Sequence, residues 1–100
     1  MKKAVQIDMK DNVATVADDV DISEEVEVLS PNGDVISRLK IAERILFGHK
    51  LALTPLEKGT DVIKYGEIIG TALSDIRPGT YVHVHNVAST RGRGDLTGGK

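Results

Sequence analysis

Residues 24–39, EEVEVLSPNGDVISRL, decide how the rest of the chain is read. Val26 and Val28 alternate with Glu25 and Glu27, the period-two pattern of a half-buried strand. Asn32-Gly33 follows, a pair suited to the positive φ angles of a tight hairpin turn, and the chain returns through Val35 and Ile36. The same rhythm recurs on either side. Short β-branched runs stand about ten residues apart, punctuated by glycine, proline, asparagine and aspartate, which is an all-β pattern.

Upstream, Val13, Thr15 and Val16 make a first short strand. Downstream, HKLALTPL (49–56) sets His49, Leu51 and Leu53 on one strand face, with Pro55 limiting its extent. KGTDVIKYGEIIGTAL (58–73) reads as two short strands broken at Tyr65-Gly66, and RPGTYVHVHNV (77–87) as a turn at Pro78-Gly79 followed by a strand. The apolar spacing of RLKIAERILFG (38–48) predicts one or two helical turns. No internal repeat is visible, and the many short strands argue for a compact, irregular β-structure rather than an α/β crossover fold.

One hundred residues fit one small domain with one core, burying roughly two thirds of the unfolded surface. Only Phe47, Tyr65 and Tyr81 are aromatic, so Val, Ile and Leu must fill the interior. A net charge of -2 provides no global positive field, which argues against nucleic acid or an anionic membrane as partner. The absence of cysteine excludes disulfides, thiolate metal sites and a cysteine nucleophile. With no apolar run of signal-peptide or membrane-span length, a cytoplasmic protein is expected. The acidic residues at 18, 19, 21, 24, 25 and 27 read as a solvated edge that discourages sheet aggregation.

From Ala88 the composition changes. ASTRGRGDLTGGK (88–100) holds four of the ten glycines and one large aliphatic residue, Leu96. Such a segment buries too little apolar area to offset its ordering entropy, so residues 1–87 are expected to form the domain and 88–100 a flexible tail.

In YVHVHN (81–86), strand alternation puts Tyr81, His83 and His85 on one face and Val82, Val84 and Asn86 on the other. Two imidazoles at i, i+2 can approach one metal ion, with His49 as the one other histidine in the chain. Proton transfer and hydrogen bonding to a hydroxylated anion are equally open to them, as is a plain solvated face. No G-x-S-x-G elbow supports a nucleophilic triad. Arg93-Gly94-Asp95 and the RGRG run carry little weight as adhesion or RNA signals without supporting context.

The ordered set GHKLAL, KYGEIIG, IRPGTYVHVHN and RGRGDL resembles the small N-terminal SAF domain of the altronate and galactarate dehydratase family, which includes the small subunit of sulfolactate sulfo-lyase. The resemblance is densest over residues 48–96. It implies a small β-clip fold, and a module that either begins a long polypeptide or stands as a small subunit beside a large one. It further implies elimination of water, or of sulfite, from hydroxylated carboxylates, with dependence on a divalent metal, commonly iron(II), in a site completed by a large dehydratase subunit.

Carried onto this sequence, the resemblance points to His49, His83 and His85 as catalytic, with His83 and His85 as candidate metal ligands. Lys50, Lys64, Tyr65 and Asn86 become candidates for binding the sugar acid, with a lysine on its carboxylate and Asn86 on a hydroxyl. Arg91 and Arg93 are expected to grip the partner or the anion. The helix-like run before Gly48 departs from the turn expected there. The leading function is a subunit or N-terminal domain of a hydro-lyase, inactive without its large partner; a sulfolactate sulfo-lyase subunit and a noncatalytic binding or regulatory module are the alternatives, and a homo-oligomer is compatible with each.

Overall fold

The computed structural model describes residues 1–89, and they are all β. Nine short strands follow one another: β1 (Lys2–Val5), β2 (Val13–Val16), β3 (Glu25–Leu29), β4 (Val35–Lys40), β5 (Lys50–Ala52), β6 (Asp61–Lys64), β7 (Glu67–Ala72), β8 (Tyr81–Val82) and β9 (Val87–Ser89). Six form one sheet in the order β4-β3-β1-β2-β5-β8, and three form another, β6-β7-β9. All pairings are antiparallel except β1 with β3.

The expected hairpin is β3–β4, but its loop runs from Ser30 to Asp34, and Gly33 alone carries the positive φ, 90°. Ser30 closes it, its hydroxyl oxygen accepting from the Asn32 and Asp34 amides. At Tyr65-Gly66 both residues have positive φ, 57° and 73°, the requirement of a type I′ turn between β6 and β7. No helix forms across 38–48. Leu39 stays in β4, and Ile41 and Ile45 are buried from an irregular segment, so tertiary burial overrides the helical spacing.

A repeat invisible in the residue letters organises the chain. Val20, Ile45, Leu56 and Ile76 each begin the same unit: a buried bridging residue, a four-residue turn, and a strand whose second residue, Val26, Leu51, Val62 or Val82, is buried. The third turn residue is Ser23, Gly48, Gly59 or Gly79, with φ of 72°, 86°, 90° and 82°, as type II turns demand. The units pair through reciprocal bridges, Val20 with Ile45 and Leu56 with Ile76. Within each pair the third-residue amide donates to a carbonyl at, or for Ile41 just past, the end of the strand that precedes the partner unit: Ser23 to Ile41, Gly48 to Val16, Gly59 to Ala72, Gly79 to Ala52.

Each pair of units builds its own hydrophobic cluster, so the single core expected from length is two adjoining ones. Val20, Val26, Ile45 and Leu51 lie in the first, and Leu56, Val62, Ile76 and Val82 in the second. β2 and β5 feed both, sending Val16 and Leu51 to one and Val13 and Ala52 to the other. Each fully buried aliphatic side chain contributes about 1.5–3 kcal/mol. Asn12 joins the sheets, its side-chain amide donating to Asp61 and accepting from Ile63 on β6.

The acidic run is not an edge, since β3 lies between β4 and β1. Glu27 pairs with Lys3 and Arg38, and Glu24 with Lys2. The hydrogen bond from Lys3, then that from Arg38, holds Glu27 below the usual carboxylate range.

β9 continues through Ser89, pairing with β7, so ordered structure passes the boundary placed at 87. Of the tail expected over 88–100, residues 90–100, with Arg91 and Arg93, lie outside the described residues. Among the described residues no helix is long and apolar enough to cross a membrane.

Candidate functional site

The pairing of β5 with β8 sets Lys50 opposite Val82 and Leu51 opposite Tyr81. His49 closes the turn before β5, and His83 leaves the end of β8, so two units of the repeat deliver their rings to one place. Tyr81 is the centre of the group. Its hydroxyl shares a 2.9 Å hydrogen bond with His49 Nδ1, and the two rings meet edge to face at 5.3 Å. The His83 ring stacks on Tyr81 at 5.3 Å, almost parallel, and meets His49 edge to face at 5.5 Å. His85 tilts over Tyr81 at 5.4 Å.

The three histidines therefore do converge, though not by strand alternation. β8 ends at Val82, residues 83–86 form a turn, and Val84, expected in the core, is 75% exposed. Asn86 causes the departure. Buried, it accepts the His83 amide on Oδ1 at 2.9 Å and donates from Nδ2 to the Tyr81 carbonyl at 2.8 Å, pulling the chain into a turn. Its amide is thereby committed to the main chain. It positions His83 and Tyr81.

A cavity of about 280 Å³ opens beside the rings, lined by Lys50 and His83 with apolar walls from Ile69, Val82, Val84 and Val87. Lys50 is half-buried. Burial, reinforced by the neighbouring positive charge of Lys64, pushes its ammonium below the usual lysine range. No carboxylate pairs with either lysine among the described residues. Lys64 lies over the Tyr65 ring at 4.8 Å. Tyr65 itself is exposed at a hairpin tip, where the Gly66 amide donates to Asp11, and its ring is not one of those that meet around Tyr81.

A second cavity, of about 270 Å³, lies against the other members of the group, lined by Arg44, Leu46, His49 and Tyr81. Sequence reasoning missed Arg44. Its signal was submerged in the supposed helix, where an arginine looks like an ordinary solvated residue.

Among the described residues no group of three or more His, Asp or Glu side chains is arranged to hold a metal ion. The donor set fits at most part of a coordination sphere. The arrangement instead provides imidazoles able to carry protons, a phenol hydrogen-bonded to one of them, and two ammonium groups in no ion pair among the described residues.

A family profile described as the altronate/galactarate dehydratase SAF domain matches residues 2–90. An altronate dehydratase of Escherichia coli is 45% identical over 82 residues, 82% of this chain but 15% of the relative. An altronate dehydratase of Bacillus subtilis is 31% identical over 86% of this chain and 16% of its own. The (2R)-sulfolactate sulfo-lyase subunit alpha of Paracoccus pantotrophus is 44% identical over 64% of this chain and 92% of its own length. This chain thus spans about a sixth of the dehydratases it matches and nearly all of the Paracoccus subunit alpha. The match over 2–90, on an all-β chain of short strands, makes it a member of the SAF-domain family of altronate and galactarate dehydratases.

Proposed function

We propose that this chain is the SAF module of a hydro-lyase acting on a sugar acid such as altronate or galactarate, and that it contributes residues to an active site finished by a large dehydratase subunit. The single observation that carries the reading is the convergence of His49, His83 and His85 on Tyr81 beside the unpaired Lys50 and Lys64. Dehydration of a hydroxy acid removes a proton next to the carboxylate, so negative charge develops there while the departing hydroxyl must be protonated. Lys50, supported by Lys64, holds the carboxylate and stabilises that charge. Its partly desolvated setting strengthens the interaction. One imidazole of the cluster accepts the proton taken from the carbon next to the carboxylate, another donates a proton to the leaving oxygen so that it departs as water, and Tyr81 keeps His49 oriented.

A divalent ion such as iron(II) would take most of its ligands from the larger polypeptide, with His83 and His85 as the candidates here. No step above depends on it. The test is to mix the purified chains and assay altronate, galactarate and sulfolactate; activity no greater than that of the large chain alone defeats the reading. A sulfo-lyase role is the second reading, favoured by the near-complete coverage of the Paracoccus subunit alpha. Selective turnover of sulfolactate would select it. Full activity of a His83→Ala, His85→Ala complex would instead favour a noncatalytic binding role.

A further inference from the structure

We infer that the turn carrying Leu46 and Phe47 is the surface on which the large dehydratase chain seats, receiving Phe47 in an apolar pocket rimmed by basic side chains. The inference deepens the reading of a site finished by a large subunit, and rests on it. Phe47 is the one phenylalanine of the chain, yet its residue is 68% exposed, with the exposed Leu46 beside it, in a domain whose two clusters are built from aliphatic side chains. The repeat supplies an internal control. Phe47 and Lys58 hold the same turn position in the first and second pairs of units, and each has its backbone amide held by an aspartate placed just before the partner unit's bridging residue: Phe47 by Asp19 at 2.8 Å, Lys58 by Asp75 at 2.9 Å. The turn is built the same way with a charged side chain as with an aromatic one, so the fold makes no demand for an apolar ring there.

An exposed aromatic on a backbone pinned in this way is what an interface anchor requires, because little conformational freedom is lost when a partner closes over it. Its position selects the partner. The Leu46 carbonyl accepts the His49 amide at 3.1 Å, and Leu46 lines the second cavity together with Arg44, His49 and Tyr81. A polypeptide that completes the ring group from this side must cover Leu46, and Phe47 is the next residue. Charge gives the chemistry of the facing surface. Asp18, Asp19 and Asp21 flank the residue that bridges to Ile45, are exposed, and enter no ion pair among the described residues, whereas Glu24 and Glu27 are paired with Lys2, Lys3 and Arg38. Basic side chains around the pocket for Phe47 complement those three carboxylates.

The test measures association of the full chain with the purified large chain by calorimetric titration and by stopped flow, and lyase turnover at saturating small chain. Phe47→Ser should weaken association about thirtyfold, while turnover at saturation stays within about twofold of wild type and the melting temperature of the isolated chain within about 3 °C. Asp18→Asn with Asp21→Asn should slow association and flatten its dependence on salt. Ile36→Ser, at an exposed aliphatic residue of β4, should leave association unchanged. Affinity indifferent to Phe47→Ser, a loss confined to turnover, an equal loss from Ile36→Ser, or a salt dependence that survives the aspartate changes overturns the inference while leaving the two-chain reading intact. Self-association of the isolated chain that Phe47→Ser abolishes, with affinity for the large chain unaltered, assigns this face to a second copy and overturns the inference as well. Wild-type chains that do not associate at all overturn the two-chain reading and this inference with it.

Discussion

Tyr81 Oη and His49 Nδ1 are joined at 2.9 Å although the two residues are 32 positions apart and belong to different units of the repeat. Where the phenol donates, His49 carries its proton on Nε2, and where the imidazole donates, on Nδ1; in either tautomer the bond fixes the ring against Tyr81. Tyr81→Phe keeps the ring contacts and removes this control. We expect lyase activity of the reconstituted enzyme to fall about tenfold, with about 1 kcal/mol lost from stability, the size of one hydrogen bond. Denaturant melts and turnover rates check the two effects separately.

Lys50 sets a pH dependence. Its folded pKa lies below the ordinary lysine value of 10.5, chiefly through burial and secondarily through Lys64, so the folded chain releases this proton before the unfolded chain does. Between those two values the unfolded state binds more protons, and stability therefore rises with pH. The anion binding proposed for Lys50 should move the opposite way, weakening as pH climbs through the folded value. Lys50→Met should abolish both trends, while changing stability near neutral pH by no more than about 0.5 kcal/mol. Thermal melts and sugar-acid titrations across the alkaline range are the measurements.

Asn86 is a stability and positioning residue. Asn86→Ala strands the Tyr81 carbonyl and the His83 amide, costing about 2 kcal/mol, or roughly 10 °C in melting temperature for a domain of this size. Asn86→Asp keeps an acceptor for His83 but loses the donor to Tyr81. It should fall between wild type and alanine in a thermal melt.

The four turns predict opposite signs for glycine changes. Ser23 occupies left-handed backbone that costs an L-residue about 1–2 kcal/mol, so Ser23→Gly should stabilise by about 0.5–1 kcal/mol after glycine's extra chain entropy is subtracted. Gly59→Ala places its methyl in open space and should cost about 1 kcal/mol. Gly79→Ala drives its methyl into the Lys40 carbonyl as well, and should cost more than about 3 kcal/mol. Melting the three variants side by side tests the repeat directly.

Val26 and Val28 were legible because local alternation and burial agree, and Tyr65-Gly66 because a turn residue stood between two β-branched runs. β1 went unread: Lys2 and Lys3 look like a solvated terminus, and the ion pairs that accommodate them in a strand are with Glu24 and Glu27, more than twenty positions away. The repeat was hidden because it consists of three sparse positions, and Ser23 replaces glycine in the first unit. At the site, His49, His83 and His85 were visible as chemistry-bearing residues. Their arrangement was not, because Asn86 ends β8 after two residues through bonds to the backbone that alternation cannot anticipate. Arg44 was lost for the same reason as the false helix: both depend on which side chains the distant bridge of Ile45 with Val20 draws inward.

The crossing of β5 and β8 makes the ring group a product of both halves of the polypeptide. His49 and Lys50 are delivered by the first pair of turns, Tyr81 and His83 by the second. Severing the backbone at the exposed Thr54 would leave each fragment with one side of the constellation, and would split the second cluster, parting Val13 and Ala52 from Leu56, Val62, Ala72, Ile76 and Val82, while every buried residue of the first stays on the N-terminal piece. Chemical competence would then return through fragment complementation alone, so imidazole signals from these residues would serve as an assembly reporter for the entire domain.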